Sequence, residues 1–231
     1  MVILHLETSA TSCSVAISEN DNCLFYKADN QGRNHAALLS LFIEEGLTRL
    51  RSEGTELSAV AVSSGPGSYT GLRIGVSTAK GICYALGIPL ISINTLELIA
   101  LQAVEKSPDS RNALFVPMID ARRMEVYDAI FDAELTSLRP AQAEILHPES
   151  FNSYLETHTV CFAGDGSAKF SEILKHDNAR FVENIIPDAQ FMIALAIKKY
   201  RSKQFEDVAY FEPQYVKEFF TTAKPVQHLK L

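Results

Sequence analysis

Short apolar runs broken by polar turns fill the first 30 residues. VILHL, SCSVAIS and CLFYKA, separated by ETSAT and ENDN, predict an antiparallel meander. Over 34–50 the period becomes helical: Leu38, Leu39, Phe42, Ile43, Leu47 and Leu50 recur on one face, and Gly54 follows as a stop. SAVAVSS predicts a buried strand, 71–86 a helix closed by Gly87, and IPLISI a further strand. Asn94, with Glu97 three residues on, gives a capping-box-like start for a helix through LELIALQAV.

The segment EKSPDSRN is polar and holds a proline, which places a domain boundary near it: 1–106, then 107–231. The second half then begins in the manner of the first. ILHLETSATSCSVAI and FVPMIDARRMEVYDAI share a layout of apolar run, acid (Glu7 or Asp120), turn and second apolar run, with negligible identity. After them come an expected helix over 148–156, the strand HTVCFAG, a Gly164-Asp165-Gly166 turn, a helix from Ser167 and a longer helix over 188–203. Strands alternating with helices in both halves imply α/β layering with mixed sheets.

Composition narrows the function. The 231 residues are 47% apolar and 21% charged, an ordinary globular balance with ample core. A formal charge of -7 argues against a stand-alone nucleic-acid binder, which needs a basic face. Cys13, Cys23, Cys83 and Cys161 are scattered without a C-x-x-C pair, as suits thiols in a reducing compartment. The N-terminal stretch lacks the basic start and continuous apolar run of a signal peptide, and no run approaches membrane-spanning length, so a cytoplasmic location is expected.

Two glycine turns follow strands and precede helices: Gly65-Pro66-Gly67-Ser68 and Gly164-Asp165-Gly166-Ser167. Backbone amides at a helix N-terminus attract anions, and glycine allows close approach, yet neither turn is a Walker loop. Glu7, Thr8, Ser9, Gly65, Gly67 and Ser68 are the candidates for an anion or nucleotide loop. The alternative is a turn that needs glycine for steric reasons alone. Downstream, Gly71, Gly75, Ala79, Cys83 and Gly87 recur every fourth residue as a ridge of small side chains. Interior glycine costs about 1 kcal/mol relative to alanine, so Gly75 and Gly81 need a packing reason. The ridge suits either the chain's own sheet or a subunit interface shared with the helix beginning near His35. The histidines (His5, His35, His147, His158, His176, His228) include no i,i+4 pair, and neither HExxH nor a Gly-x-Ser-x-Gly elbow occurs.

LETSATSCSVAI, SSGPGSYTGLRIG, INTLE and IDARRMEVY together resemble the bacterial TsaB (YeaZ) family, over nearly the whole chain and most strongly up to about Tyr127. The resemblance implies two tandem domains of the actin, hexokinase and Hsp70-like superfamily (ribonuclease H-like), with mixed sheets flanked by helices. It implies a role in making N6-threonylcarbamoyladenosine at position 37 of tRNAs reading codons that begin with A. In that role a catalytic paralogue, TsaD, transfers the threonylcarbamoyl group, a small ATPase, TsaE, supports turnover, and tRNA is held mainly by the paralogue.

The catalytic family carries a pattern like Asn-His-x-Glu-Gly-His, whose histidines ligate a metal. Here the matching stretch is Asn94-Thr95-Leu96-Glu97-Leu98-Ile99, with Thr95 and Ile99 at the ligand positions. A threonine hydroxyl is a poor transition-metal ligand and isoleucine is none, so no metal is expected, no catalysis by this chain alone, and no required cofactor. Nucleotide binding stays open. The older glycoprotease description of this branch fails on the same ground. The family pairs helices matching 35–50 and 71–86 with the paralogue. That makes His35, Leu39, Phe42, Ile43, Gly71, Leu72, Gly75, Ala79 and Cys83 the candidate interface, usable also for a homodimer of the isolated chain. The competing readings are a small ATPase or phosphotransferase on the same fold, and a metallopeptidase.

Overall fold

A computed structural model describes residues 1–32, 34–107 and 112–217. The first sheet begins with β1 (Val2–Glu7), β2 (Cys13–Glu19) and β3 (Asn22–Asp29), the expected meander. After α1 (His35–Ser52), β4 (Ala59–Gly65) returns parallel to β1. After α2 (Tyr69–Leu86), β5 (Leu90–Asn94) lies parallel to β4. The order is β3-β2-β1-β4-β5. β1 and β4 are buried along their whole length because helices cover both faces, which is why they read as continuous apolar runs. Even His5 is sealed in, with Nε2 2.9 Å from the Ser18 hydroxyl, and burial pushes its pKa down to about 3.

α3 (Thr95–Lys106) leads to the second sheet. It starts as its sequence predicts: the Asn94 side chain accepts from the amides of Leu96 at 2.9 Å and Glu97 at 3.1 Å. β6 (Leu114–Asp120), β7 (Glu125–Phe131) and β8 (Ser137–Ile145) form a second meander. α4 (Asn152–Leu155) leads to β9 (Val160–Ala163), parallel to β6, and α5 (Ser167–Ile173) leads to β10 (Ala179–Val182), parallel to β9. The order β10-β9-β6-β7-β8 repeats the first sheet strand for strand. The duplication faintly suggested by Glu7 and Asp120 is therefore complete at the level of topology.

α3 is the joint between the halves. Its Leu98 packs with Ile3, Ala59, Ile91 and Ile93 of the first sheet, whereas Leu96, Ile99 and Ala103 pack with Phe115, Ala129 and Phe131 of the second. A 3-10 turn (Ala189–Phe191) and α6 (Met192–Arg201) return to the first sheet, where Met192, Leu195 and Ala196 cover the face opposite α1 and α2. Residues 108–111 of the boundary segment, His228 and the rest of 218–231 lie outside the described residues.

Four elements differ from the sequence reading. β8 has little apolar signal because no residue of this edge strand is fully buried, and it holds Pro140, which an edge tolerates, whereas β10 (ARFV) is apolar but only four residues long, too short to show a period. The helix expected over 148–156 shrinks to the four residues of α4 after a turn at Pro148. The helix expected from 188 opens as the 3-10 turn, with the Asp188 carboxylate accepting from the Gln190 amide at 2.8 Å.

Candidate functional site

Strand order brings both hairpin turns and both glycine turns to the facing ends of the two sheets. β1 ends at Glu7, whose carboxylate is fully buried. Oε1 accepts from the Ser9 amide at 2.5 Å and the Ser63 hydroxyl at 3.1 Å, while Oε2 has no partner. Burial pushes its pKa up to about 7, against the hydrogen bonds from Ser9 and Ser63. The same place in the second half holds Asp120, which is half exposed. Its Oδ1 takes Lys169 Nζ at 2.5 Å and the Arg122 amide at 2.9 Å. Those bonds outweigh burial and hold its carboxyl below the usual range.

The first glycine turn is a packed joint. The Ser68 amide donates to the Ser9 carbonyl at 2.6 Å, the Gly71 amide to the Ser68 hydroxyl at 3.2 Å, and the Leu72 amide to the Ser68 carbonyl at 2.8 Å. A Cβ at Gly67 would overlap the Ser9 carbonyl, and one at Gly65 would lie 2.6 Å from the carbonyl oxygen of Gln214. The second turn repeats this: the Gly166 amide donates to the Met118 carbonyl at 3.1 Å, and a Cβ at Gly164 would overlap that same oxygen. The Ser68 amide serves the turn after β1, the Gly166 amide serves β6, and the Gly71 and Leu72 amides cap α2 on Ser68, so the glycines at 65, 67 and 164 have a steric reason. Of the candidate anion residues, only Ser9, Gly67 and Ser68 line the cleft between the sheets, and Glu7, Thr8 and Gly65 do not.

The small ridge of α2 also faces inward, a correction to its reading as an interface. A Cβ at Gly71 would overlap the Thr8 carbonyl, and one at Gly75 the Thr8 hydroxyl, which itself donates to the Gly71 carbonyl at 2.8 Å. Ala79 and Cys83 are buried in the core between α1, α2 and the first sheet, with Leu39, Phe42 and Ile43, and Leu72 is fully buried. Among the nine interface candidates only His35 is not buried; its Nε2 lies 3.0 Å from the Ala10 carbonyl, at the cleft. The period of four marks close helix–sheet approach here.

The outer face of α2 carries a second row of small residues, Ser77, Gly81 and Ala85, all exposed. Nothing lies within 4 Å of the place a Gly81 Cβ would take. Tyr84 beside it is 86% exposed, and Leu41 on the neighbouring α1 is 48% exposed. Unlike Gly75, Gly81 meets no neighbour among the described residues that would require a glycine. The C-terminal segment flanks this face. Lys80 Nζ donates to the carbonyls of Ala209 and Phe211, the Gln214 amide donates to the Ser64 carbonyl at 2.7 Å, and Tyr215 packs on Tyr69 with ring centres 5.0 Å apart.

The cleft has a volume of about 620 Å³. Thr95 and Ile99 line it, and among the described residues no group of three His, Cys, Asp or Glu could hold a metal ion. No helix among those residues is long and apolar enough to cross a membrane.

Residues 28–219 match the family described as "TsaD: tRNA N6-adenosine threonylcarbamoyltransferase". The chain is 29% identical over 229 residues to the tRNA threonylcarbamoyladenosine biosynthesis protein TsaB of Escherichia coli K12, covering 94% of this chain and 95% of that protein. It is 27% identical to TsaB of Haemophilus influenzae, covering 97% of each. The structure of YeaZ from Pseudomonas aeruginosa shares the fold with a TM-score of 0.76 at 23% identity, covering 93% of this chain and 99% of that one. The chain thus belongs to the TsaD family and stands within it among the proteins named TsaB, of tRNA threonylcarbamoyladenosine biosynthesis.

Proposed function

We propose that this chain is a non-catalytic scaffold and activator of a TsaD-like paralogue, docking through the outward face of α1 and α2. The observation that carries the reading is Gly81. A mid-helix glycine costs about 1 kcal/mol against alanine, and no atom of another described residue lies within 4 Å of the place its Cβ would take. Its reason lies outside the chain, in a partner helix brought close along Ser77, Gly81 and Ala85, with Tyr84 and Leu41 as apolar anchors. Catalysis belongs to the paralogue, because Thr95 and Ile99 here supply no metal ligands. A TsaE-like ATPase completes the assembly, and tRNA is held mainly by the paralogue, as suits a chain of charge -7. Without the paralogue, the same face pairs two copies of this chain.

The test is reconstitution. Mixing the chain with the catalytic paralogue is expected to give a complex by mass, and to raise threonylcarbamoyl transfer to tRNA at least ten-fold over the paralogue with the ATPase alone. Equal transfer with and without this chain would end the proposal. ATP hydrolysis by the isolated chain, abolished in Glu7→Ala, would favour the ATPase reading instead.

A further inference from the structure

The turn between β6 and β7 carries a feature that the docking of α2 does not use. Arg122 and Arg123 occupy adjacent positions in it, both exposed and both in the left-handed region, with φ of 74° and 51°. Glycine and asparagine are the residues that favour such backbone. Two arginines hold it here instead, and neither lines the cleft. A turn that keeps two long cations against its backbone preference points to a use for their charge.

The turn is fixed from below. The Arg122 amide donates to Asp120 Oδ1 at 2.9 Å and the Glu125 amide to the Arg122 carbonyl at 3.1 Å. Lys169 Nζ donates to the carbonyls of Arg123 at 2.8 Å and Glu125 at 2.6 Å. The nearby carboxylates are already engaged, Asp120 by Lys169 and Glu125 by Lys217. Asp120 feels Arg122 as a charge through space, but among the described residues neither guanidinium enters a hydrogen bond or a salt bridge. The pair is preorganised and has no anion of its own.

Lys217 also ties the turn to α2. Its segment leads back to Tyr215, which packs on Tyr69, and the Arg73 guanidinium lies 4.0 Å over that Tyr69 ring. The arginine turn thus adjoins a second exposed arginine site with aromatic faces, at the border of the docking face. Cations interleaved with aromatic rings suit a nucleic-acid strand, and the guanidinium fork matches phosphate oxygens.

We propose that Arg122 and Arg123 grip the phosphate backbone of the tRNA held by the docked paralogue. The inference rests on the docking reading. A chain of charge -7 does not hold tRNA alone, so the paralogue supplies the main contact and the arginine pair adds two phosphate contacts that position the strand without reading its bases.

The test uses the full chain in complex with the paralogue and the ATPase. Binding of tRNA is followed by fluorescence anisotropy between 50 and 200 mM salt, and transfer is read as KM and kcat for tRNA. The double variant Arg122→Asn, Arg123→Gly installs residues suited to the turn, so it is expected to melt at or above the wild-type temperature and to form the complex normally. Its tRNA Kd and KM are expected to rise about ten-fold with kcat within two-fold. The slope of log Kd against log salt is expected to fall by about 1.5, the signature of two lost phosphate contacts. A folded variant with wild-type affinity and slope would overturn the proposal while leaving docking intact. A variant that melts lower and loses the complex would overturn it by assigning the arginines to the fold. Loss of the ATPase from the complex at unchanged tRNA affinity would overturn it by assigning them to a protein carboxylate. A wild-type chain that forms no complex would end the docking reading and this one with it.

Discussion

The two sides of α2 carry the same kind of residue for opposite reasons. On the inner side Gly71, Gly75, Ala79 and Cys83 let the helix settle onto the turn after β1 and onto β4, and a Cβ added at Gly71 or Gly75 meets Thr8. On the outer side Ser77, Gly81 and Ala85 repeat the spacing of four, and no other described residue reaches within 4 Å of a Cβ at Gly81. A small residue with a neighbour is explained by the fold. One with none points to something the fold does not contain. The period alone cannot separate the two, because a helix shows a four-residue row on every side.

That contrast can be broken most forcefully from the inside. Gly75→Leu is expected to destabilise the chain by about 3 kcal/mol or more, read as a lowered urea midpoint, since the side chain must displace Thr8 or the helix itself. A variant that stays at wild-type stability would mean the inner ridge is not packed.

A second effect concerns the acid beneath that joint. The folded pKa of Glu7, about 7, lies above its unfolded value of 4.5, so the folded chain holds this proton more tightly. Its contribution is full below pH 4.5 and is lost as pH rises to 7. His5 works the other way: its folded value of about 3 lies below 6.5, so its contribution is lost as pH falls through that window. The clean readout is the stability of Glu7→Gln minus wild type. This difference is expected to move in favour of the glutamine by up to about 3 kcal/mol between pH 4.5 and 7.5, at about 1.4 kcal/mol per unit. A flat difference would show that Glu7 keeps an ordinary carboxylate pKa.

The smallest effect has the opposite sign. Gly81→Ala is expected to stabilise the isolated chain by about 1 kcal/mol, raising Tm by roughly 2–4 °C, because helix propensity improves and the added methyl meets nothing. Destabilisation at this site would remove the basis for treating the outer row as unused by the fold.

Much of the architecture was legible in the sequence. The central strands were plain because burial on both faces makes them continuously apolar, and α3 announced itself through Asn94. β8 was silent because it has no buried face, and β10 because four residues are too few to show a period. The repeat of topology was hidden for a physical reason as well. Glu7 and Asp120 occupy matching strand ends, yet one is sealed under serine donors and the other faces solvent beside Lys169. The halves have kept the sheet order and exchanged the chemistry around it. The candidate site was half legible. Glycines at 65, 67, 71 and 75 mark close approach in any reading, but only coordinates show that the approaching atoms belong to Thr8, Ser9 and Gln214. The cleft walls Ile119, Tyr127, Ile185 and Ile186 come from distant segments and share no local pattern. Gly81 did carry a signal, as an interior glycine needing a reason.

The central claim is that the outer row of α2 receives a partner, and Gly81→Trp tests it most directly. Its melting temperature and its complex mass with the catalytic paralogue would be measured beside those of the wild type. A variant that melts as the wild type does, yet binds at least a hundred-fold more weakly and no longer stimulates threonylcarbamoyl transfer, is the predicted result. A folded Gly81→Trp chain that binds and activates the paralogue normally would contradict it.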